Sequence, residues 1–330
     1  MENDDVETRI RIHGGGLEKV PREETSIHHY DSTLIKPVRE EPRYSLNSRS
    51  LGYLERLAKA QFVLYDKVPD FDSANLDRSN PDVARSVIRG VFASSEIEGE
   101  GISAEFVEAF VAAHTEPGEI VNEELKTRLI AHEDIIEAYW WMFEYREKPF
   151  LSFDFVLEAH YRMFQRAKPE YAGKIKNVEN VIKWTHEGKQ TIVPTVAASD
   201  AEQFLRALCE RTNRFFEVSE DSSEASMILA AAEFCCDFLA IHPFTDGNGR
   251  LARLISAYLL ERAGYHFSSI YPFDQVVLDS RNQYYTALNT AQQNWHEAEE
   301  DLSPWMNYYI GAVFEQWERA FRRIRLARAS

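Results

Sequence analysis

Apolar side chains recur at spacings of three and four residues over most of residues 51–330, a pattern typical of helices packed on a shared core. The pattern is clearest on both sides of residues 242–249. It comprises Ile228, Leu229, Ala232, Cys235, Phe238 and Leu239 before this segment, and Leu251, Leu254, Ile255, Tyr258 and Leu259 after it. Gly264 offers a stop just beyond the second stripe. We therefore predict two buried helices joined by a tight loop, the second beginning near Asn248 or Gly249.

Another helix is predicted over residues 80–98, where Asn80 can cap the first turn and Pro81 suits the first helical position. Gly99 is expected to end this helix. By contrast, residues 178–184 and 190–194 are short and rich in β-branched side chains. With residues 185–189 between them, these two runs predict a β-hairpin within an otherwise helical chain.

The bulk composition limits the fold and its divisions. With 330 residues, of which 44 % are hydrophobic, the chain can bury a large core. Residues 1–50 have weaker periodicity, a run of three glycines and many charges, so we expect a partly irregular N-terminal arm. We expect an N-terminal helical region over residues 51–145 and a larger helical core over residues 146–330, in one elaborate domain or two. These observations predict an all-α fold with one small hairpin.

Charge and cysteine usage exclude several classes of protein. The formal net charge of −17 argues against a nucleic-acid-binding surface. No run of 18 apolar residues is present and the acidic start is unlike a secretory signal, so we expect neither a membrane partner nor export. The three cysteines, Cys209, Cys235 and Cys236, lie in apolar helical stretches without metal-ligand spacing. Reduced cysteines buried in a core fit a cytoplasmic protein.

The predicted loop also carries the residues needed to bind an anion. Gly247 and Gly249 flank Asn248 at the start of the second helix, so the backbone amides can turn inward as a nest. Arg250 and Arg253 are three residues apart and share a face of the first turn. Two cations at a helix N-terminus oppose the macrodipole, and a bound anion would offset that cost.

Two side chains of the loop supply the remaining chemistry. Asp246 can hold a divalent cation together with phosphate oxygens, which is how Mg²⁺ is usually bound. His242, at the end of the preceding helix, can accept a proton. Taken singly, these residues have simpler explanations: a hydrogen-bonded structural histidine, an ordinary turn and solvated arginines. Their coincidence at one helix junction favours a functional site.

From His242 to Arg253, the sequence resembles the Fic-domain signature, His-x-Phe-x-Asp/Glu-Gly-Asn-Gly-Arg-x-x-Arg, at every specified position. The resemblance implies a Fic fold, a helical bundle around the catalytic loop, with residues 146–330 as its catalytic core. It also implies transfer of AMP from ATP to a hydroxyl side chain of a target protein. In that reaction His242 would deprotonate the hydroxyl and Asp246 would carry Mg²⁺ or Mn²⁺. The phosphates of ATP would be held by Gly247, Asn248, Gly249, Arg250 and Arg253.

Residues 94–99, Ser-Ser-Glu-Ile-Glu-Gly, resemble the inhibitory pattern of the same family, Ser/Thr-x-x-x-Glu-Gly/Asn. The resemblance makes residues 80–98 an inhibitory helix in which Ser94 and Glu98 are the key positions. It implies a bidentate pair between Glu98 and Arg253 that occupies the γ-phosphate position and blocks productive ATP binding in cis. The simpler explanation is a solvated glutamate within an acidic stretch.

Target and nucleotide recognition are predicted from weaker similarities. The hairpin corresponds in position to the family's flap, which implies that Val181, Ile182 and Lys183 dock a segment of the target by strand addition. A single proline follows where many relatives carry a pair. Tyr285, within an aromatic pair resembling that of the family, and Gln292 would then contact the adenine or ribose. Each of these residues could instead be structural.

The resemblance implies ATP as substrate and a protein partner with an accessible Ser, Thr or Tyr hydroxyl, which could be the chain itself. A homo-oligomer is compatible with the sequence. Two alternatives stay open. The same residues could remove AMP from a modified target, with Glu98 orienting a water, in a hydrolase or a bifunctional enzyme. Alternatively, the chain could be a non-catalytic module that senses ATP, although binding alone needs no general base at position 242.

Overall fold

The computed structural model describes residues 9–13, 16–20, 43–67, 78, 80–99, 103–115, 123–144, 151–186, 189–218 and 225–327. Its helices are α1 (Ser48–Lys67), α2 (Pro81–Ile97), α3 (Ala104–Thr115), α4 (Glu123–Glu144), α5 (Phe153–Phe164), α6 (Ala201–Val218), α7 (Ala225–Ile241), α8 (Asn248–Arg262), α9 (Phe273–Asp279), α10 (Arg281–Ala291) and α11 (Ser303–Ala327). Its strands are β1 (Arg9–His13), β2 (Gly16–Val20), β3 (Asn180–His186) and β4 (Lys189–Pro194). The predominance of helix confirms the predicted all-α class.

The core is built around α7 and α8, which pack against each other and are joined by the predicted loop. Helix α7 is apolar on nearly every side, and a helix of that kind is stable only when surrounded by other elements. Helices α6 and α11 supply that cover. The indole of Trp305 in α11 is fully buried and donates a hydrogen bond to the Ala232 carbonyl of α7 at 2.7 Å. Helix α8 begins at Asn248, as predicted.

Helix α2 confirms the predicted helix and its cap. The Asn80 side chain accepts hydrogen bonds from the amides of Asp82 and Val83, at 3.0 and 3.4 Å. Helix α2 packs on α9, and Gly90 lies at this contact, close to Pro272. A β-carbon on Gly90 would lie 2.8 Å from Cβ of Pro272, the residue that precedes α9. This close packing brings the C-terminal end of α2 beside the start of α8.

The sheet contains the predicted hairpin but is larger than predicted. Strands β3 and β4 pair antiparallel, and their ladder continues to the pair His186↔Lys189, beyond the predicted strand ends. In the N-terminal arm, β1 pairs antiparallel with β2 and parallel with β3, giving the order β2-β1-β3-β4. Parallel pairing between segments so far apart in the chain leaves no local signal in the sequence.

A buried ionic cluster fastens residue 43 to the core. Arg43 donates to Asp237 at 2.9 and 2.6 Å, and also pairs with Glu233 at 3.1 Å and with Glu300 at 2.9 Å. Arg211 contacts the same Asp237 carboxylate. Burial acts to raise the pKa of Asp237, but the two arginines hold that pKa well below its usual value. The chain is therefore tied to α7 at the point where it enters the helical region.

The three cysteines agree with the expectation of buried thiols. Cys209, Cys235 and Cys236 are all buried and free, and burial raises the pKa of each thiol. In the part of the chain that the structure describes, no helix combines the length and apolar character needed to cross a membrane. The domain boundaries at residues 50 and 145 stay predictions.

Candidate active site

His242 is held at the end of α7 in the left-handed conformation that commonly closes a helix. Its φ is 51°, and its amide donates to the Phe238 carbonyl at 2.9 Å. The ring atom Nδ1 lies 3.2 Å from the Leu239 carbonyl oxygen. Because a carbonyl can only accept a hydrogen bond, this contact assigns the proton of the neutral ring to Nδ1. The opposite nitrogen, Nε2, is then left as a proton acceptor.

The environment of His242 keeps its ring neutral. Burial lowers the pKa of His242 to about 3, and the charge of Lys176 adds to that effect. The hydrogen bond to Leu239 and the charge of Asp246 oppose the shift without cancelling it. A positive φ at a non-glycine residue is also a mild strain that a functional site can retain. The position predicted to be the general base therefore carries a base in its unprotonated form.

Lys176 ties the end of α7 to the base of the hairpin. Its ammonium is buried and donates to Asn180 Oδ1 at 2.8 Å, to Thr195 Oγ1 at 2.9 Å and to the Ile241 carbonyl at 3.3 Å. These three acceptors match the three donors of a lysine. Burial nevertheless lowers the pKa of Lys176 to about 7. The lysine fixes the residue that immediately precedes His242.

The loop after His242 is braced by amide side chains. Asn248 accepts from the Phe244 amide at 3.0 Å and donates to the Phe244 carbonyl at 2.7 Å. The Asn180 side chain donates to the same carbonyl at 3.0 Å. Asn248, predicted to hold phosphates, therefore uses its side chain to shape the loop. Its role toward a nucleotide stays a prediction.

Gly247 is the residue immediately before α8, and its conformation and surroundings require a glycine there. Its φ is 78°, and a β-carbon at this position would overlap the ring of Phe164. The helix begins without a side-chain cap, and its first intrahelical bond runs from the Leu251 amide to the Gly247 carbonyl. The first-turn amides at Asn248, Gly249 and Arg250 have no intrahelical acceptor, so they suit an anion.

His160 of α5 holds the centre of the loop, a role that sequence reasoning missed. Its ring is buried and stacks on Phe244 with centroids 3.8 Å apart and an interplanar angle of 5°. Nδ1 accepts from the Gly173 amide at 3.0 Å, so Nε2 carries the proton and donates to the Asp246 carbonyl at 3.0 Å. Burial lowers the pKa of His160 to about 4, although Asp246 opposes that shift.

Asp246 is already balanced by positive charge. Its Oδ2 lies 2.5 Å from Lys168 Nζ, while Oδ1 accepts from the Gly247 amide at 2.6 Å and from Arg250 at 3.2 Å. Burial acts to raise the pKa of Asp246, but Arg250 and Lys168 lower it below its usual value. Among the described residues, no three His, Cys, Asp or Glu side chains converge on a metal position. A single carboxylate suits Mg²⁺ only together with substrate phosphates and waters.

Arg253 is buried and held on several sides. Its Nε donates to Asp274 at 2.8 Å and to Ser94 Oγ at 3.1 Å. Its Nη2 donates to Ser94 Oγ at 2.8 Å, to the Ser94 carbonyl at 3.0 Å and to Glu98 Oε1 at 2.8 Å. Nη1 has no hydrogen-bond partner in the described part of the chain. The guanidinium of Arg253 in α8 thus contacts both the C-terminal end of α2 and the start of α9.

The predicted pairing of Glu98 with Arg253 is present, but through one carboxylate oxygen instead of two. Ser94 and Asp274 take the Nε side of the guanidinium, and Glu98 contacts Nη2 without engaging the neighbouring Nη1, which has no hydrogen-bond partner among the described residues. Glu98 also lies over the first turn of α8, since a β-carbon on Gly249 would overlap its Oε1. A carboxylate at the C-terminus of α2 is disfavoured by that helix dipole, and the N-terminus of α8 together with Arg253 offsets this.

The two predicted nucleotide-pocket residues lie in different surroundings. Tyr285 donates its hydroxyl hydrogen to the Ile97 carbonyl at 3.1 Å, directly before Glu98. Burial raises the pKa of Tyr285. Gln292 is buried and donates to the Cys236 carbonyl of α7 at 2.9 Å. The structure therefore brings Tyr285 to the site around Glu98, and it gives the amide of Gln292 a packing contact within the core.

The predicted docking residues lie on β3. Val181 and Ile182 are half-buried, and they pair with Pro194 and Val193 of β4. Lys183 is a strand position opposite Ile192, and its side chain lies outside the described residues. On its other edge, β3 pairs with β1 at residues 180–182. A strand from another protein could pair directly with β3 only by displacing β1 or β4, and could otherwise add to an outer strand, β4 or β2, so the docking role stays a prediction.

Comparison with known proteins gives a family match over the part of the chain that contains α7, α8 and the loop between them. Residues 150–260 match the Fic/DOC family. Protein adenylyltransferase fic-1 of Caenorhabditis briggsae is 30 % identical over 49 % of this chain and 29 % of its own length. Protein adenylyltransferase Fic of Nematostella vectensis is 29 % identical over 48 % of this chain and 31 % of its own length. The chain thus spans about three tenths of these curated relatives.

Solved structures support the fold over a longer stretch. A Fic family protein from Desulfovibrio desulfuricans G20 superposes with a TM-score of 0.60 at 19 % identity, covering 86 % of this chain and 77 % of that one. At this identity the likeness concerns the fold alone. Together with the match to residues 150–260, it confirms the family resemblance and the Fic fold expected from the loop sequence.

Proposed function

We propose that this chain, which carries a domain of the Fic/DOC family over residues 150–260, is a protein adenylyltransferase that Glu98 inhibits in cis. The observation that carries the catalytic part is a neutral imidazole at His242 with Nε2 as acceptor, one short loop away from the N-terminus of α8. The names of the curated relatives support the same activity. The substrates are ATP and a protein with an accessible hydroxyl side chain.

The reaction is a transfer at the α-phosphorus of ATP. The target hydroxyl oxygen forms a bond to that phosphorus, the bond to the bridging α–β oxygen breaks, and pyrophosphate leaves with the electron pair. Nε2 of His242 takes the hydroxyl proton. The first-turn amides of α8, Arg250 and Arg253 stabilise the charge on the phosphates, which is the main contribution a protein makes to such transfers.

A divalent cation fits beside Asp246. Oδ2 is the oxygen we assign to Mg²⁺ or Mn²⁺, because Oδ1 accepts two hydrogen bonds from the loop and α8, whereas Oδ2 contacts only the side chain of Lys168. When bound, the cation would neutralise phosphate charge and orient the triphosphate. The protein offers one carboxylate, and the phosphates would complete the coordination.

Inhibition follows from the position of Glu98. Its carboxylate contacts Arg253 at 2.8 Å and lies against Gly249, where the terminal phosphates of ATP are expected to bind. Two anions cannot share that place without strong repulsion. The Glu98 side chain is 33 % exposed, so it can leave without unfolding α2. Activation therefore requires only that this carboxylate gives up its contacts.

The target would present a Ser, Thr or Tyr hydroxyl to His242, aligned by the strands of the flap. Because β1 pairs with one side of β3, the outer strand on the hairpin side of the sheet order β2-β1-β3-β4 is β4, and the target segment would add there. Another copy of the chain, or the chain itself, is an admissible target, and automodification provides an assay that needs no identified partner.

The test is transfer of label from α-³²P-ATP, with Mg²⁺, to lysate proteins and to the enzyme itself. Wild type is compared with Glu98→Gly and with Glu98→Gly/His242→Ala. We expect label with Glu98→Gly, raised by orders of magnitude over wild type, since an anion occupying the phosphate position is removed. The double variant should lose that label while still binding ATP.

The other outcomes identify the alternatives. Equal labelling of wild type and Glu98→Gly would reject inhibition by Glu98 and leave the transferase activity standing. Nucleotide binding without label in any variant would reject the transferase. Release of AMP from a previously modified protein would then indicate the AMP-removing hydrolase, and its absence would indicate a module that senses ATP.

A further inference from the structure

The two oxygens of Asp246 have separate partners. Oδ1 accepts from the Gly247 amide at 2.6 Å and from Arg250 at 3.2 Å, so the loop and α8 hold it in place. Oδ2 is contacted by Lys168 Nζ at 2.5 Å. Lys168 is thus the partner of the oxygen that the proposed function gives to the metal.

Lys168 combines a fixed backbone with a displaceable side chain. Its amide donates to the Phe164 carbonyl at 2.9 Å, and its carbonyl accepts from the Tyr171 and Ala172 amides at 3.1 and 3.2 Å. The side chain is 45 % exposed. An ammonium is a compact, strongly hydrated charge on a flexible stem. It can leave Asp246 for water while the loop that carries it stays in place.

A lysine and a divalent cation cannot share Oδ2. Mg²⁺ binds oxygen at about 2.0–2.1 Å, well inside the space that an ammonium occupies on the same atom. The two cations would also repel each other strongly at such a distance. Arg250 remains on Oδ1 in either case, so losing Lys168 does not leave the carboxylate without a positive partner.

We infer that Lys168 is a resident counter-cation at the metal position, and that a divalent cation must displace it from Oδ2 of Asp246. Lys168 neutralises Asp246 while no metal is present and weakens metal binding by competing for the same oxygen. This assignment rests on the proposed function, because it takes Asp246 as the ligand of the cation.

The first test measures Mn²⁺ binding by electron paramagnetic resonance at a saturating concentration of a non-hydrolysable ATP analogue. All proteins carry Glu98→Gly, so the nucleotide position is accessible. Lys168→Met should bind Mn²⁺ about two- to five-fold more tightly, the range expected for removal of one exposed ion pair. Lys174→Met is the matched control, since Lys174 lies in the same segment and contacts the Glu170 carbonyl at 3.1 Å. Its Mn²⁺ affinity should equal that of the parent.

The second test follows the lysine itself in the unsubstituted Glu98→Gly protein. Acetylation of Lys168 is quantified by mass spectrometry with and without Mn²⁺ and the analogue, relative to Lys174. Displacement by metal should raise the acetylation rate of Lys168. A constant or lower rate would overturn the inference, even if Lys168→Met tightened metal binding through the general field of the site.

The remaining outcomes separate this inference from the proposed function. Unchanged or weaker Mn²⁺ binding by Lys168→Met would overturn the counter-cation role, and weaker binding would indicate a phosphate contact instead. An Asp246→Asn arm should lose most of the tight Mn²⁺ binding. If it does not, Asp246 is not the ligand and both the metal assignment and this inference fail. Labelling of targets in the AMP-transfer assay is scored independently of either result.

Discussion

The loop that carries His242 and the end of α2 that carries Glu98 meet at one place but are held very differently. Asn248 and His160 are both buried, and their side chains form hydrogen bonds with backbone groups of the loop. Glu98 is a third exposed and is held by one oxygen on Arg253. The geometry of the proposed catalytic loop is therefore built into the core, whereas the proposed inhibitory residue is partly exposed and held by a single contact. This difference suggests a division of roles: the fold fixes the geometry of the loop before substrate binds, and regulation would act on access of ATP to the loop.

The strongest way to break this comparison is to disturb the loop at Gly247. Gly247→Ala would place a side chain at φ 78° and against the Phe164 ring. We expect transfer activity in the Glu98→Gly background to fall by about 100-fold or more, because the nest and Asp246 are displaced from their productive geometry. Activity is measured by label transfer, and melting temperature reports the strain.

Gly52→Ala is the control for that substitution, since a β-carbon at Gly52 meets nothing within 4 Å. It should leave activity unchanged and stabilise α1 slightly. If Gly247→Ala were as active as Gly52→Ala, the loop would not need its preformed shape.

A second prediction concerns His160, the buried side chain that holds the centre of the loop. The pKa of His160 is lowered from 6.5 to about 4 in the folded protein, so between these values the unfolded chain binds more protons. Stability contributed by neutral His160 is therefore complete above about pH 6.5 and is lost as the pH falls toward 4. From pH 6.5 to about pH 5 the loss should be about 2 kcal/mol.

The measurement is urea unfolding of wild type and His160→Gln over that pH range. His160→Gln lacks the titrating ring, so its free energy of unfolding should decline less than that of wild type. Parallel curves for the two proteins would mean that the pKa of His160 is the same in the folded and the unfolded chain, as for a solvated ring. In that case the surroundings of His160 would be looser than its contacts indicate.

The smallest expected effect comes from a substitution in α2, which tests how firmly Glu98 is held. Gly90→Ala would bring a β-carbon to 2.8 Å from Cβ of Pro272 and push α2 away from α9. Overpacking of this size costs about 1–3 kcal/mol. Part of that cost would weaken the contact of Glu98 with Arg253, so transfer by the otherwise wild-type chain should rise about five- to tenfold.

The same substitution in the Glu98→Gly protein decides how a rise in transfer activity is interpreted. In Glu98→Gly, the substitution Gly90→Ala should bring no further increase, because the contact it weakens is already gone. A comparable rise in both backgrounds would show that α2 limits activity by some route other than Glu98.

Local signals account for what could be predicted from the sequence. Asn80, Pro81 and Gly99 bound α2, and the glycines around Asn248 mark the start of α8, since caps and turns depend on a few adjacent residues. The same locality explains the hairpin. The clustering of catalytic residue types in one loop made the site recognisable before any contact was known.

Residues that reach the site from distant segments could not be found in this way. His160, Lys168, Lys176 and Asp274 are single polar residues in α5, the segments that follow it, and α9. Only the fold brings them to the loop and to Arg253. A lone histidine in a helical stripe is no different in sequence from a solvated one. The single contact of Glu98 with Arg253, where a bidentate pair was predicted, likewise depends on how the fold places the two side chains, which no spacing rule gives.

The three buried thiols make it practical to attach a single fluorescent label at the end of α2. All three cysteines of the chain are buried, with raised pKa values, so they should resist maleimide dyes while the protein is folded. Glu96 is exposed, two residues before Glu98. A fluorophore on a cysteine introduced by Glu96→Cys would therefore be the only label attached, without removing any native residue from the core. Its brightness and anisotropy could then report whether the surroundings of the end of α2 change when ATP binds.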